Sequence, residues 1–282
     1  MEPSGLYFIG QLFWLFFIFM FILPIIQTQL LNYSREKLLK AIEEKNSSKV
    51  ITMIHRQETR SLFGFFMMRM ITIEDSEAVL RAIRMTPKEK QIDFIIHTPG
   101  GIALAATQIA RALADHKGKV RVIVPHFAMS GGTLIALAAD EIVMDPHAVL
   151  GPVDPQLGTE PAASLVAIEK LKDPKDIDDE TLVKIDMSKK ALKQMYDTVK
   201  NILIKKGHPE EKADKIAYEL SQGKYTHDFP VTVEFLRELG INVNTEVDEE
   251  VYALMELYPQ PAGIPTVQYL PEPFKKPEAV KK

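Results

Sequence analysis

The chain has 282 residues, of which 46% are hydrophobic, enough for one sizeable core or one domain with appendages. Thirty-four basic against 38 acidic residues leave a net charge of −4, which gives no pointer to nucleic acid as a partner. There is no cysteine, which excludes disulfides, thiolate metal sites and cysteine nucleophiles, and suits a reducing compartment or a heat-tolerant protein.

From Leu6 to Ile26 the only strongly polar residue is Gln11, and 21 such residues can cross the hydrocarbon core of a bilayer. A cleaved signal peptide would open with basic residues and close on small ones. Here only Glu2 precedes the run and Ile25-Ile26-Gln27 closes it, so an uncleaved anchor is predicted. A buried core helix would carry more polar interruptions. Arg35, Lys37 and Lys40 follow the span and nothing basic precedes it, which places the body of the protein in the cytoplasm, at the cell membrane.

Ser34 to Lys45 has helical spacing at Leu38, Leu39 and Ile42 and reads as an amphipathic helix leaving the membrane. Val50 to Ile54 reads as the first strand. Arg60 to Met70, with Phe63, Phe65, Phe66 and Met67, suits either a loop touching the bilayer or a partner, or core packing. Asp75-Ser76-Glu77 caps a helix through Arg84. Then follow a strand at Ile92–Ile96, a helix at Ala103–Ala114, a strand at Val120–Val124, a helix at Thr133–Ala139 and a strand at Glu141–Met144. Strands alternating with helices argue for a parallel α/β core. A polar insert spans Thr159 to Asp186, and a long helix Met187 to Lys205. Pro209 to Leu220 is another helix, and Asp228-Phe229-Pro230 caps one ending before Gly240. The last 24 residues are proline-rich and lysine-ended, an extended tail. The expected organisation is an anchor at 1–33, a catalytic domain at 34–258 and a tail at 259–282.

Two glycine-rich turns carry the chemistry. Thr98-Pro99-Gly100-Gly101 ends one apolar strand, and Met129-Ser130-Gly131-Gly132-Thr133 follows the next. A serine at a strand-to-helix turn is exposed near free N–H groups, which is how an acyl-transfer nucleophile and its oxyanion hole are assembled. Ser130 is the candidate nucleophile; its plain alternative is a structural serine capping a helix. Thr133 reads as core or cap. Asp140 and Glu141 read as strand-end surface carboxylates.

A strand ending in Pro-Gly-Gly, a Ser-Gly-Gly turn, Ala138-Ala139-Asp140-Glu141-Ile142-Val143 and Leu150-Gly151-Pro152 together resemble the ClpP/crotonase superfamily. Within it the chain is similar to the membrane-anchored serine proteases related to signal peptide peptidase A and to the NfeD-type proteases, and most of all to the serine dehydrogenase proteinase family. The resemblance covers roughly Ser34 to Thr245. It implies a ClpP/crotonase-like spiral of ββα units after one transmembrane helix, a Ser130 nucleophile, and an oxyanion hole from the N–H groups of Gly101 and Gly131. It also implies a ring-like or dimeric homo-oligomer.

A serine needs a base within hydrogen-bond reach. ClpP has a histidine about 25 residues after its serine, where this chain has Asp154 and no histidine. A lone carboxylate cannot readily deprotonate serine, so Asp154 reads as structural or substrate-orienting. The nearest imidazoles are His126 and His147. The anchored relatives use a lysine, which needs burial or a positive neighbour to lower its pKa. Lys172, beside Asp173, lies in a polar, acidic insert. Lys190 lies near the start of the expected long helix, where the dipole would lower its pKa, and it falls at the lysine position of the NfeD-type enzymes. Lys190 is the favoured base, with Lys172, Lys189 and His147 as alternatives.

The expected function is a membrane-anchored serine endopeptidase with a Ser130/Lys190 dyad, acting on membrane-proximal proteins or peptides, with no cofactor and no metal. The expected partners are the peptide substrate, the bilayer through residues 6–26, and further copies of the chain, with no nucleic acid. Two rivals are a crotonase-type acyl-CoA enzyme, which uses two backbone N–H groups on a thioester enolate, and a non-catalytic membrane scaffold.

Overall fold

The computed structural model describes residues 11–56 and 70–258. It opens on one long helix, α1 (Gln11–Asn46). A π turn at Ile18–Ile22 interrupts α1 just before Pro24, whose ring removes an N–H and crowds the preceding turn. Beyond Pro24 the helix runs on to Asn46. An 18-residue apolar window of α1 has none of its residues buried, so this stretch packs nothing of the fold, and it is long enough to cross a membrane. The second half docks instead, with Ile42 fully buried and Leu38 and Leu39 beside it. The expected anchor and the expected amphipathic helix are therefore parts of one helix.

The body follows as β1 (Lys49–Ile54), α2 (Ile73–Met85), β2 (Ile92–His97), α3 (Ala103–Asp115), β3 (Val120–Val124), β4 (Phe127–Ala128), α4 (Gly131–Ala136), β5 (Glu141–Met144) and β6 (Val149–Leu150). Then come β7 (Gln156–Leu157), β8 (Glu160–Pro161), α5 (Ala162–Leu171), α6 (Asp179–Lys205), α7 (Glu210–Ser221), α8 (Val233–Glu238), β9 (Val243–Asn244) and α9 (Glu249–Glu256). The main sheet is parallel throughout, in the order β1-β2-β3-β5-β9. All six residues of β2 are buried, because both faces of the sheet are covered; that is why its sequence is apolar with little alternation. On one face Phe94, Ile96 and Val122 pack under α3, α6 and α7. On the other Ile95, Ile123 and Val143 pack under α1 and α9. A two-stranded parallel pair, β4-β6, stands beside the sheet.

The carboxyl ends of parallel strands share one edge, and both glycine turns lie there. The opposite edge is tied by Asp93, which is fully buried. Its carboxylate accepts two bonds from Arg121 (2.8 and 2.5 Å), one from Ser48 (2.9 Å), one from Asn46 (3.1 Å) and one from Gln91 (3.0 Å). One carboxylate thus joins the end of α1, β2 and β3.

Several boundaries differ from the sequence reading. Helix α6 starts eight residues earlier than expected, because Asp178 caps it through the Thr181 N–H (2.9 Å). The acidic run there is a helix start, where negative charge meets the positive end of the dipole. The supposed polar insert holds α5 and a small core of Leu165, Ile177 and Ile185. Thr72, not Asp75, is the N-cap of α2, and Asp75 closes the capping box from the third position. Thr232 caps α8, so the Asp228-Phe229-Pro230 stretch lies before the helix. Of the Arg60–Met70 segment only Met70 is among the described residues, and the tail at 259–282 lies outside them.

Replacing Asp93 with alanine leaves the half-buried Arg121 guanidinium without its carboxylate. The expected loss is about 3–5 kcal/mol of unfolding free energy. Denaturant unfolding in detergent, followed by circular dichroism, reads it; a loss below about 1 kcal/mol contradicts the tie.

Candidate active site

The first turn is held by backbone contacts that only glycine allows. Gly100 and Gly101 have φ of 103° and 153°. Gly101 lies against Ile71: the Ile71 N–H donates to Gly100 O (2.7 Å) and the Ile102 N–H to Ile71 O (2.9 Å). A Cβ on Gly101 would stand 2.4 Å from backbone atoms of Ile71. Inside the turn the Gly100 N–H donates to Thr98 Oγ1 (3.2 Å). Thr98 Oγ1 in turn lies 2.9 Å from His55 Nδ1, and His55 Nε2 is 3.3 Å from Asp75. This buttress leaves the Gly101 N–H without an acceptor among the described residues.

The second turn is strained. Ser130 has φ 50° and ψ −113°, a conformation that costs a non-glycine residue about 1–3 kcal/mol. It is the N-cap of α4, and its Oγ makes no bond to a described residue. The turn is clasped from behind by Thr133, fully buried, whose Oγ1 lies 2.9 Å from Ala128 O and 2.8 Å from Gly151 O and accepts from the Gly151 N–H (3.0 Å). Gly131 opens α4, so its N–H has no intrahelical acceptor. The two turns touch. A Cβ on Gly100 would be 2.8 Å from Ser130 Cβ, and a Cβ on Gly131 would be 3.9 Å from the Gly101 nitrogen. Two N–H groups without an acceptor among the described residues, on Gly101 and Gly131, therefore lie close to Ser130, and such a pair of donors is what an oxyanion hole requires.

Ser130, Gly101 and Gly131 line a cleft of about 540 Å³ whose walls include Ile102, Leu134, Val153 and Met195. Asp154 and His227 line the same cleft. His227 Nδ1 lies 2.8 Å from Asp154 Oδ1, and Asp154 is almost fully buried. Gln156 Nε2 donates to the other oxygen of Asp154 (2.6 Å). The bond to Asp154 holds the half-buried His227 above the ordinary histidine pKa, with burial opposing it. His227 Nε2 has no partner among the described residues.

The fold delivers this pair from two distant loops. An antiparallel bridge joins Leu150 to Val231, with bonds of 2.9 and 3.0 Å, and brings residues 150–154 beside 227–231. The His227 loop is fixed by aromatic packing: Tyr225 stacks on Phe229 at 4.2 Å, and Phe229 meets Phe235 edge-on at 5.6 Å.

The profile of the ClpP-like SDH-type serine proteinases matches residues 3–282. The chain belongs to this family. It is 52% identical to an uncharacterized protein of Methanocaldococcus jannaschii over 282 residues, all of this chain and 98% of the relative. A second uncharacterized protein of that organism is 53% identical over 270 residues, 94% of this chain and 92% of the relative. Among solved structures, a mutant of the membrane-bound stomatin-specific protease 1510-N is 20% identical with a TM-score of 0.43, covering 67% of this chain and 79% of that one.

In this serine proteinase the favoured lysine does not meet the serine. Lys190 is two-thirds exposed and its Nζ is 2.5 Å from Asp186, one turn back on α6. It does not line the cleft, although its neighbour Ala191 does. Because α6 begins at Asp179, Lys190 is about three turns inside the helix and gains nothing from the positive end. Lys189 pairs with Glu169 at 2.6 Å, and Lys172 is exposed at the end of α5. His147 is exposed beyond β5, and His126 is exposed with its ring 5.6 Å from His97. Asp140 accepts from the Val120 N–H (2.7 Å) and pairs with Lys206, while Glu141 pairs with Lys119 (2.5 Å); both are strand-end ties. His227 is not legible in the sequence. No local motif marks it, and its only signal is the Asp154 that stands 24 residues after Ser130 without a histidine of its own.

Gly131 has an ordinary φ, so the bar to a side chain is space alone: its Cβ would lie 2.8 Å from Ala106 Cβ. Gly131→Ala is expected to slow the reaction of Ser130 with a fluorophosphonate by at least about tenfold, because the N–H must shift. Adding Ala106→Gly removes the opposing methyl and is expected to recover most of that rate. A double variant as slow as the single one contradicts the close-contact account.

Proposed function

We propose that this serine proteinase is a membrane-anchored endopeptidase that works through Ser130, His227 and Asp154. Ser130 Oγ attacks the carbonyl carbon of a peptide bond while His227 Nε2 takes its proton. The carbonyl oxygen, now negative, is held by the N–H groups of Gly101 and Gly131. As the tetrahedral intermediate collapses, the C–N bond breaks and His227 returns the proton to the leaving amine. Water then repeats the sequence on the acyl-enzyme and frees Ser130. Asp154 fixes the imidazole through Nδ1 and stabilises it when charged.

The observation that carries this reading is the His227–Asp154 pair in the cleft that holds Ser130. Lys190, the base that the family resemblance suggested, is two-thirds exposed and paired with Asp186, without the burial that turns a lysine into a base. The apolar, unburied first half of α1 supports anchoring in a bilayer through the run that ends at Ile26. Arg35, Lys37 and Lys40 support a body on the cytoplasmic side. The apolar cleft walls suit an extended segment that presents an apolar side chain.

A fluorophosphonate probe with mass mapping of the adduct tests the assignment on the detergent-solubilised chain. We expect an adduct on Ser130, none in Ser130→Ala, and labelling slowed about 10²–10⁴-fold in His227→Ala. Lys190→Ala should label at nearly the wild-type rate. Persistent labelling in His227→Ala together with loss in Lys190→Ala would return the base to Lys190. A folded wild type that takes no probe would favour a scaffold or an acyl-CoA enzyme, and CoA binding separates those two.

The pH dependence has a definite sign. His227 accepts a proton only when neutral, so the labelling rate should rise with pH through an apparent pKa above 6.5. The charged pair with Asp154 contributes stability in full below the ordinary histidine value and loses it as pH climbs through the raised one. Activity is thus gained over the window in which that contribution fades. Asp154→Asn should move the rate profile to lower pH and cut its plateau; a profile unmoved by that change contradicts the pairing.

A further inference from the structure

We infer that α1 is a rigid strut that turns the catalytic edge of the sheet toward the bilayer and fixes its height there. The inference rests on reading the apolar half of α1 as a membrane span, and it deepens the proposed function by setting the side from which substrate enters.

The direction of α1 follows from what its two ends touch. At its carboxyl end Lys45 pairs with Asp248 and Glu250, both at 2.8 Å, and Asn46 Nδ2 donates to Asp93 and Asp248 at 3.1 Å. Asp93 is the second residue of β2, so this end lies at the edge where the strands begin. Ten residues earlier Arg35 donates to Leu257 O from Nε (3.0 Å) and Nη2 (2.6 Å), and its guanidinium lies 4.1 Å over the Tyr258 ring. That part of the chain is next to Arg56, which donates to Met255 O (2.8 Å) and stands two residues past the end of β1. Helix α1 therefore runs antiparallel to the strands, and its amino-terminal half leaves from the edge where they end. That is the edge that carries Gly101, Ser130 and the cleft.

No flexible joint separates span from body. From Pro24 to Asn46 the helix is unbroken, and it is clamped at Arg35 and again at Lys45 and Asn46. Nine residues separate Ile26 from Arg35, a rise of about 14 Å at 1.5 Å per residue. A polypeptide emerging from the same bilayer would reach that level with about four extended residues. A body on a loose linker would meet soluble and membrane chains alike. A body on this strut presents its cleft to segments emerging from the membrane and turns its opposite edge to solvent.

The absence of cysteine makes the orientation directly measurable. Leu104 is exposed at the start of α3, on the catalytic edge, and Lys117 is exposed just beyond its end, on the other. The axial rise between them is about 17–20 Å. Single variants Leu104→Cys and Lys117→Cys, each carrying a donor fluorophore, would be reconstituted in phosphatidylcholine vesicles containing an acceptor on a lipid headgroup. Transfer should be stronger from position 104 than from 117. Seven helix-forming residues inserted after Gln29 preserve the helix face and should move both labels away from the bilayer by about 10 Å. The insertion touches no site residue, so probe labelling of Ser130 should be unchanged. Equal transfer from both positions, stronger transfer from 117, or no retreat on insertion overturns the inference. A chain that does not float with the vesicles overturns it along with the anchor. Failure of Ser130 to take probe, with the distances as expected, would overturn the proposed chemistry and leave the orientation standing.

Discussion

The two glycine turns approach until no side chain fits between them, and the site depends on that contact. Gly101 touches the Ile71 backbone, Gly100 faces Ser130 Cβ, and Gly132 would drive a Cβ to 2.7 Å from Thr98. Such closeness places the N–H of Gly101 beside that of Gly131 with neither spent on the fold. It also forces Ser130 into positive φ, which lifts its hydroxyl clear of the helix it begins. The strain of about 1–3 kcal/mol is offset locally. Thr133 supplies buried hydrogen bonds, each worth about 1 kcal/mol net, and the next two residues, Leu134 and Ile135, bury their side chains.

Around that contact the electrostatics separate sharply. His97, buried at the end of β2, is pushed down to about 4 by burial and by Arg56, so it is neutral beside the first turn at ordinary pH. His227 is pushed the other way by its bond to Asp154. In the proposed mechanism one imidazole is thereby kept out of the acid–base chemistry and another is tuned into it. Environment decides the role, as it does for Lys190, whose Asp186 neighbour and exposure suit a surface ion pair.

What the sequence revealed and what it hid divide along physical lines. Strands β1 to β3 and β5 were legible because their apolar runs are continuous, as burial on both faces requires. The glycine turns were legible because only glycine tolerates such contact. The start of α6 was hidden because an acidic run reads equally as an insert or as a capped first turn, and only the bond from Thr181 to Asp178 decides. His227 was hidden for a different reason. It sits 97 residues from Ser130 in a loop without periodicity, and it reaches the cleft through the Leu150–Val231 bridge and an aromatic stack. Such pairing is set by long-range topology, which leaves no trace in spacing. The continuity of α1 was hidden too, because a span and an amphipathic helix have different patterns even when one helix carries both.

A parallel sheet places every strand-end loop on one side, so Ser130, both glycine turns and the loop carrying Asp154 gather there whatever chemistry is run. An anchor helix preceding β1 and packed antiparallel to it must emerge on that same side. With α1 read as a membrane anchor, the edge that carries Ser130 and the edge that meets the membrane coincide because of connectivity, without any residue dedicated to aligning them. The residues that hold the alignment are those that hold the fold: Asp93 and Asn46 at one end, Arg35 and the carbonyl of Leu257 at the other. Their loss would loosen orientation and stability together. A long linker would relieve that coupling; under the proposed anchoring, a continuous helix accepts it in exchange for a cleft whose height is set by about nine residues of rise.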